Sequence, residues 1–260
     1  MQLLFFMHEY FGFLNNYYDK VYVLTLPRLH ERMDLINRQL EGLHFEFFYG
    51  TDKQDTSINA LKEQGAYSTE RYLEFYKRPH EMSLGMLCCS LGHLHMYQSI
   101  IANGYRRTLI LEDDVQPLSE GLALWPQLIS ELPADWDVFY LGYEKNESFG
   151  WMQKLKSALY RTRPWHAQLK LTSAMYANYY PRSLSKHIAR AGFHDCTHAY
   201  SVTLEAAKKL AALQTPVAFN PDNLLSYAIA TGRVTGYIAR PKLFNQLSAF
   251  GDKMPSLTAD

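Results

Sequence analysis

Three consecutive acids, Glu112, Asp113 and Asp114, close the apolar run Leu109-Ile110-Leu111, and Val115 resumes it. Adjacent carboxylates repel one another unless a cation or hydrogen-bond donors offset the charge. A set of hard oxygen ligands favours Mg²⁺ or Mn²⁺, and an ion held that way commonly holds a phosphate too. Residues two apart on a strand face the same way, so Glu112 and Asp114 are expected to aim at one point and Asp113 elsewhere. The structural alternative is a solvated turn with a helix-capping Asp. The apolar strand directly ahead weighs against it, because ligands of open α/β sheets bind at the carboxyl edge of the strands.

Other residues carry chemistry by type and place. Asp222, in the stretch NPDNLL, opens a helix and reads as a general base or as an N-cap. Arg28 and Arg32 follow an apolar strand, where a guanidinium either pairs with a diphosphate or contacts a base, or else lies on a solvated helix face. Thr25 and Leu26 end that strand and offer backbone groups to a ligand. His93 and His95 lie two apart on a helix and face different ways. His93 and His198 read equally as ligand contacts or as buried structural histidines. Asp52 and Asp55 either reach a nucleotide or belong to a polar loop.

The elements that must position these groups alternate. KVYVLTL (20–26) reads as a buried strand. A helix follows, with Leu29, Met33, Ile36 and Leu40 at helical spacing and Gly42 as its stop. FEFFYG (45–50) is a second strand, which makes a βαβ unit with parallel strands. Residues 51–82 are polar, with room for one or two short helices. A helix over 87–104 ends in Asn-Gly, and RTLILEDDV is the next strand. Further on come a helix over 119–133 in spite of Pro126, strands at 135–142 and 197–202, helices at 204–213 and 221–232, and a final strand at 233–241. There is no internal repeat.

The chain has 260 residues, enough for one large domain. Lys and Arg together equal Asp and Glu, 26 of each, so net charge names no partner. The balance is local, however. Residues 151–194 hold eight basic residues, Lys154, Lys156, Arg161, Arg163, Lys170, Arg182, Lys186 and Arg190, and no acid, which leaves 18 basic against 26 acidic elsewhere. Trp151, Tyr160, Trp165, Tyr176, Tyr179 and Tyr180 are interleaved. Such a surface suits anionic lipid headgroups or single-stranded nucleic acid, and a solvated insertion is the plainer reading. The acidic remainder disfavours nucleic acid. Three cysteines without metal-like spacing fit a reducing, cytoplasmic setting. The apolar start MQLLFFMHEYFGFL lacks a basic n-region and a cleavage site and reads as a strand, a helix or an interfacial segment. No run of about 18 apolar residues is present to span a membrane.

Six stretches in order resemble glycosyltransferase family 25, the lipopolysaccharide and lipooligosaccharide glycosyltransferases, a family that also holds the collagen-modifying galactosyltransferase domain. They are VYVLTLPRLHERMDLI, SLGMLCCSLGHLHMYQSI, TLILEDDV, LPADWDVFYLG, THAYSVTLEAAKKL and NPDNLLSYA, and they cover roughly residues 19–246. In the second, the family's Ser-His pair falls on Gly92-His93, so the His is kept and the hydroxyl lost. The resemblance implies a GT-A-like, Rossmann-type α/β sheet flanked by helices. Residues 19–142 would form the nucleotide-sugar half, 151–194 a basic aromatic insertion and 195–246 the acceptor half of a single domain.

By the same resemblance the acids are a variant Asp-x-Asp motif. Asp114 would ligate Mn²⁺ (or Mg²⁺), Glu112 would be a second ligand or a ribose contact, and Asp113 would lie near the ribose or donor sugar. Thr25, Leu26, Arg28, Arg32, His93 and His198 would line the donor site, and Asp222 would be the base of an inverting transfer. The implied reaction moves a hexose, galactose from UDP-galactose, to a lipid-linked glycan at the inner face of the cytoplasmic membrane, with 151–194 against the leaflet. Two rivals stand beside it. A nucleotidyltransferase on a similar sheet would want a Gly-rich phosphate loop, and LTLPRLHER contains no Gly. A non-catalytic glycan- or membrane-binding module would keep the fold without turnover.

Overall fold

The computed structural model describes residues 2–77, 80–147, 150–162 and 168–247, with the backbone alone for 2–8, 154, 157 and 160–162. Arg163 and Trp165 lie outside the described residues, as do the side chains of Lys154, Tyr160 and Arg161. The chain opens with α1 (Gln2–Tyr17), so the apolar start is a helix, and its Phe11 and Leu14 are fully buried. β1 (Lys20–Thr25) leads through α2 (His30–Gln39) to β2 (Glu46–Tyr49), parallel to β1 as a βαβ unit requires. The polar stretch holds two short helices, α3 (Ile58–Glu63) and α4 (Thr69–Phe75).

α5 (Leu84–Asn103) starts three residues before the expected point, because the Ser83 hydroxyl accepts the Met86 N–H and caps it. It stops at Gly104, whose φ of 68° is left-handed. β3 (Arg107–Glu112) carries the first acid, and β4 (Val115–Pro117) follows after a turn. The helix expected over 119–133 is two helices, α6 (Ser119–Ala123) and α7 (Trp125–Glu131). Pro126 lacks the N–H a continuous helix needs and sits instead in the first turn of the second. β5 (Val138–Glu144), β8 (Asp195–Thr203), α10 (Leu204–Gln214), α11 (Pro221–Ala230) and β9 (Gly236–Ala239) fall where expected. β10 (Phe244–Gln246), too short to be recognised by alternation, is an addition.

Among the described residues eight strands, including β6 (Arg182–Ser183) and β7 (Ile188–Arg190), form one mixed sheet in the order β2-β1-β3-β8-β5-β9-β7-β6. Side chains alternate across it. Val21, Val23, Leu109 and Leu111 face α1, α2, α6 and α7, while Tyr22, Ile110, Tyr140 and Tyr200 face α5, α10 and α11. This is the helix-flanked α/β sheet expected of a GT-A-like domain.

The basic stretch carries elements of its own. It contains α8 (Trp151–Thr162), α9 (Ser173–Tyr176), β6 (Arg182–Ser183) and β7 (Ile188–Arg190), and β7 pairs with β9 at the sheet edge. Its aromatics divide accordingly. Tyr176 and Tyr180 are buried in packing, whereas Trp151 is exposed.

A backbone strap over residues 240–247 crosses the sheet's carboxyl edge and packs on α6. A Cβ on Gly121 would stand 2.0 Å from the Lys242 carbonyl oxygen, whereas one on Gly12 of α1 would meet nothing within 4 Å. Gly121→Ala is therefore expected to cost at least about 2 kcal/mol. Gly12→Ala should gain up to about 1 kcal/mol from helix propensity. Urea unfolding midpoints of the two variants check this, and a neutral Gly121→Ala would show that the strap does not sit tightly on α6.

Candidate active site

β3 ends at Glu112, and Asp113 and Asp114 occupy the turn before β4. Strand alternation therefore does not reach Asp114, and each acid has its own surroundings. Asp113 is buried between β1 and α2. Its Oδ2 accepts the Thr25 hydroxyl at 2.6 Å, and its Oδ1 accepts Arg32 Nη1 at 2.6 Å. Burial pushes the Asp113 carboxyl up, and Arg32 and Thr25 pull it back only in part. Glu112 turns toward α5 and β8. Its Oε1 accepts the Thr197 hydroxyl at 2.8 Å and lies 3.7 Å from His93 Nε2. Burial raises this carboxyl, but His93, Thr197 and His198 outweigh it and leave Glu112 below its ordinary range.

Asp114 is the least compensated of the three acids, with only the charge of Arg32 and its own N–H pulling its carboxyl down. Its Oδ1 is buried and has no hydrogen-bond partner among the described residues. Burial, then the charges of Glu112 and Asp113, push its carboxyl up to about 7. The backbone around it is clipped: the Leu247 N–H reaches the Asp114 carbonyl at 2.8 Å, and β4 pairs antiparallel with β10. A carboxylate on a clipped turn, with one buried oxygen lacking a partner, fits a divalent cation. Among the described residues no three His, Cys, Asp or Glu side chains form a metal cage. One or two carboxylate oxygens from the chain, with phosphate and water completing the shell, is the arrangement Mg²⁺-like ions use.

Behind Glu112 the histidines are set in tyrosine and backbone. His93 is fully buried on α5, and its Nδ1 lies 2.7 Å from the Tyr200 hydroxyl, itself 2.8 Å from that of Tyr97. His198 on β8 is also fully buried, and neither ring nitrogen has a partner among the described residues. Burial pushes His198 down to about 4, against the pull of Glu112, so the ring is neutral. It needs Gly142 opposite, where a Cβ would come within 2.4 Å of its Nε2. His95, two residues on from His93, faces solvent as its spacing requires.

Asp222 lies in the first turn of α11 but is not the cap. Asn220 holds that position, and its side chain accepts the Tyr76 hydroxyl at 2.9 Å instead of capping the helix. Asp222 Oδ1 accepts the Asn223 N–H at 2.8 Å. Burial, then Asp195, push its carboxyl up to about 6, against the N–H groups of Asn223 and Cys196. Cys196 has a φ of 65°, a left-handed backbone that is uncommon for a side chain with a Cβ. The acids share one neighbourhood: on α5, the Cys89 thiol is raised by burial and then by the charges of Glu112, Asp222 and Asp113.

The predicted residues thus separate into groups. Glu112, Asp113, Asp114, Thr25, Arg32, His93, His198 and Asp222 converge on the carboxyl edge of β1 and β3 and the adjoining end of β8. Arg32 is spent on Asp113 rather than pointing free. Arg28 pairs with the buried Asp52, which that contact holds below its usual range. The Thr25 and Leu26 carbonyls already accept the Gly50 and Leu29 N–H groups at 2.9 and 3.0 Å. Thr197, Tyr200, Tyr97 and Cys196 were not singled out from the sequence. Only the position of Tyr97 in the block around His93, and of the others in the block around His198, could have suggested them. Gly92 is explained by packing, since a Cβ there would come within 2.9 Å of Leu24, next to Thr25.

The chain is similar to known proteins over most of its length. The sequence model of Glycosyltransferase family 25 (LPS biosynthesis protein) matches residues 18–225. A Glycosyltransferase 25 family member of Anopheles gambiae is 24% identical over 197 residues, 73% of this chain and 28% of that protein. Procollagen galactosyltransferase 2 of Mus musculus is 24% identical over 49% of this chain and 21% of its own length. The Homo sapiens protein named Inactive glycosyltransferase 25 family member 3 is 25% identical over 48% of this chain and 22% of its length. This chain therefore matches only between a fifth and a third of each of these relatives. Among solved structures, a glycosyltransferase involved in glycosylation of the major capsid of PBCV-1 aligns over 92% of this chain and 94% of its own, with 10% identity and a TM-score of 0.42. With its family model matched across most of its length and the acidic turn at the carboxyl edge of its sheet, the chain belongs to glycosyltransferase family 25.

Proposed function

We propose that this glycosyltransferase is metal-dependent and inverting, and that it moves a hexose, galactose from UDP-galactose, onto a hydroxyl of a lipopolysaccharide-type, lipid-linked glycan at the cytoplasmic face of a membrane. The observation that carries the reading is the buried, partnerless Oδ1 of Asp114, on a clipped turn beside the charges of Glu112 and Asp113. A divalent metal, when bound, supplies positive charge to the departing diphosphate. Asp114 would hold it, with Glu112 the nearest further carboxylate.

The chain's own residues do the rest. Asp222, with its carboxyl at about 6, is largely ionised at neutral pH and basic enough to accept a proton. It takes the proton of the acceptor hydroxyl as that oxygen forms the new bond to the anomeric carbon. The bond from that carbon to the diphosphate breaks on the opposite side, and the electron pair leaves with the nucleotide. Arg32 and Thr25 fix Asp113 so that the turn keeps one shape. His93 and the neutral His198 wall the site behind Glu112.

Calorimetric titration of UDP-galactose should show binding with Mn²⁺ that EDTA removes and that Asp114→Asn weakens at least about tenfold. If no member of a nucleotide-sugar panel binds with Mn²⁺, the acidic turn is structural and the reading fails. Asp222→Asn should lower kcat by about 10²–10⁴ while leaving donor affinity unchanged. In the wild type, turnover should fall as pH drops below about 6, because protonated Asp222 cannot accept a proton. Metal-dependent donor binding with no turnover toward any glycan would instead favour a non-catalytic binding module.

A further inference from the structure

We infer that α8 is an interfacial helix that seats the enzyme on an anionic lipid bilayer beside its active site. The inference rests on the proposed lipid-linked acceptor only for its purpose, and its physical basis is separate. Among the described residues, seven large apolar or aromatic side chains stand exposed, and four of them are on this one helix: Trp151 at 75%, Met152 at 53%, Leu155 at 66% and Leu159 at 56%. With about 100° of rotation per residue, those positions fall within an arc of about 100°. An apolar stripe this wide on a surface helix marks an interaction site.

The charge says what lies opposite. Lys156 is exposed just outside the stripe. The stretch that contains α8, residues 151–194, has eight basic residues and no acid. Lys156, Lys170, Arg182, Lys186 and Arg190 form no ion pair with a described residue. Apolar residues on one face with lysine beside them is the pattern of a helix lying in the plane of a charged membrane surface. No helix among the described residues is long and apolar enough to cross a membrane, so the contact is in the plane.

Topology places the helix at the right edge. β3 and β5 both run antiparallel to β8, so they run parallel to each other and their carboxyl ends share one sheet edge. The acidic turn follows β3 there, and α8 begins seven residues after β5 ends at Glu144. A bilayer under α8 would bring a lipid-anchored glycan to the edge where Asp114 and Asp222 lie.

Cosedimentation of the full chain with phosphatidylglycerol–phosphatidylcholine vesicles, against phosphatidylcholine alone, tests this. Binding should need the anionic lipid, weaken with added salt, and fall by about tenfold or more in Leu155→Glu. Lys156→Glu should weaken it on anionic vesicles only. UDP-galactose titration of the same variants should be unchanged, which separates failure of docking from failure of the glycosyltransferase reading. Binding that is absent, indifferent to headgroup charge, or unaltered by Leu155→Glu would overturn the inference. So would self-association of the wild type that Leu155→Glu dissolves, since a second copy would then cover the stripe.

Discussion

The buried ion pair between Arg32 and Asp113 is the constraint on which the site depends. It joins α2 to the turn after β3, and the Thr25 hydroxyl closes it from β1. Both charged side chains are almost fully out of water, so each would be costly alone. Breaking such a pair from one side typically costs about 3–5 kcal/mol, because it leaves an uncompensated buried charge. The pair consumes the middle acid of the triplet and the arginine that sequence reasoning offered to a diphosphate. With Asp113 paired and Glu112 offset by Thr197 and its histidine neighbours, the unbalanced charge falls on Asp114. The question raised by three adjacent acids thus has three local answers.

Much of this was legible in the chain because its signals were local. β1, α2 and β2 follow from an apolar strand, a helical spacing and a second strand. The end of α5 follows from Asn103-Gly104, where only a left-handed residue closes the helix easily. The acidic turn follows from an abrupt change of polarity at the end of β3. The misses were long-range. Asp222 was weighed as an N-cap on its type and place, but Asn220 holds that position and contacts Tyr76 from a distant part of the chain. Its carboxyl is raised rather than lowered because the fold buries it and, second, because Asp195 at the start of β8 lies near it. Thr197, Tyr200 and Cys196 matter only through pairing that no local pattern encodes.

The departure from the family at Gly92 has a packing account. The family's serine would place its side chain where Leu24 sits, one residue before the Thr25 that holds Asp113. Gly92 therefore lies in close apolar contact with the Leu24 methyls, which would have to turn aside for a larger residue. A similar reciprocity links Gly142 to His198, whose ring occupies the space a Cβ would take. Small residues at these two points admit larger side chains from neighbouring strands.

The clip that holds the acidic turn comes from the far end of the described chain. β4 finds its partner in β10, and the Asp114 carbonyl is bonded by the Leu247 N–H. The partners of Asp113, Thr25 and Arg32, lie in the first half of the sequence. During synthesis the sheet's early strands can pair while the segment that fixes Asp114 is still inside the ribosome. The acidic turn therefore acquires its finished geometry only when nearly the whole domain has emerged, so an incomplete nascent chain would lack it.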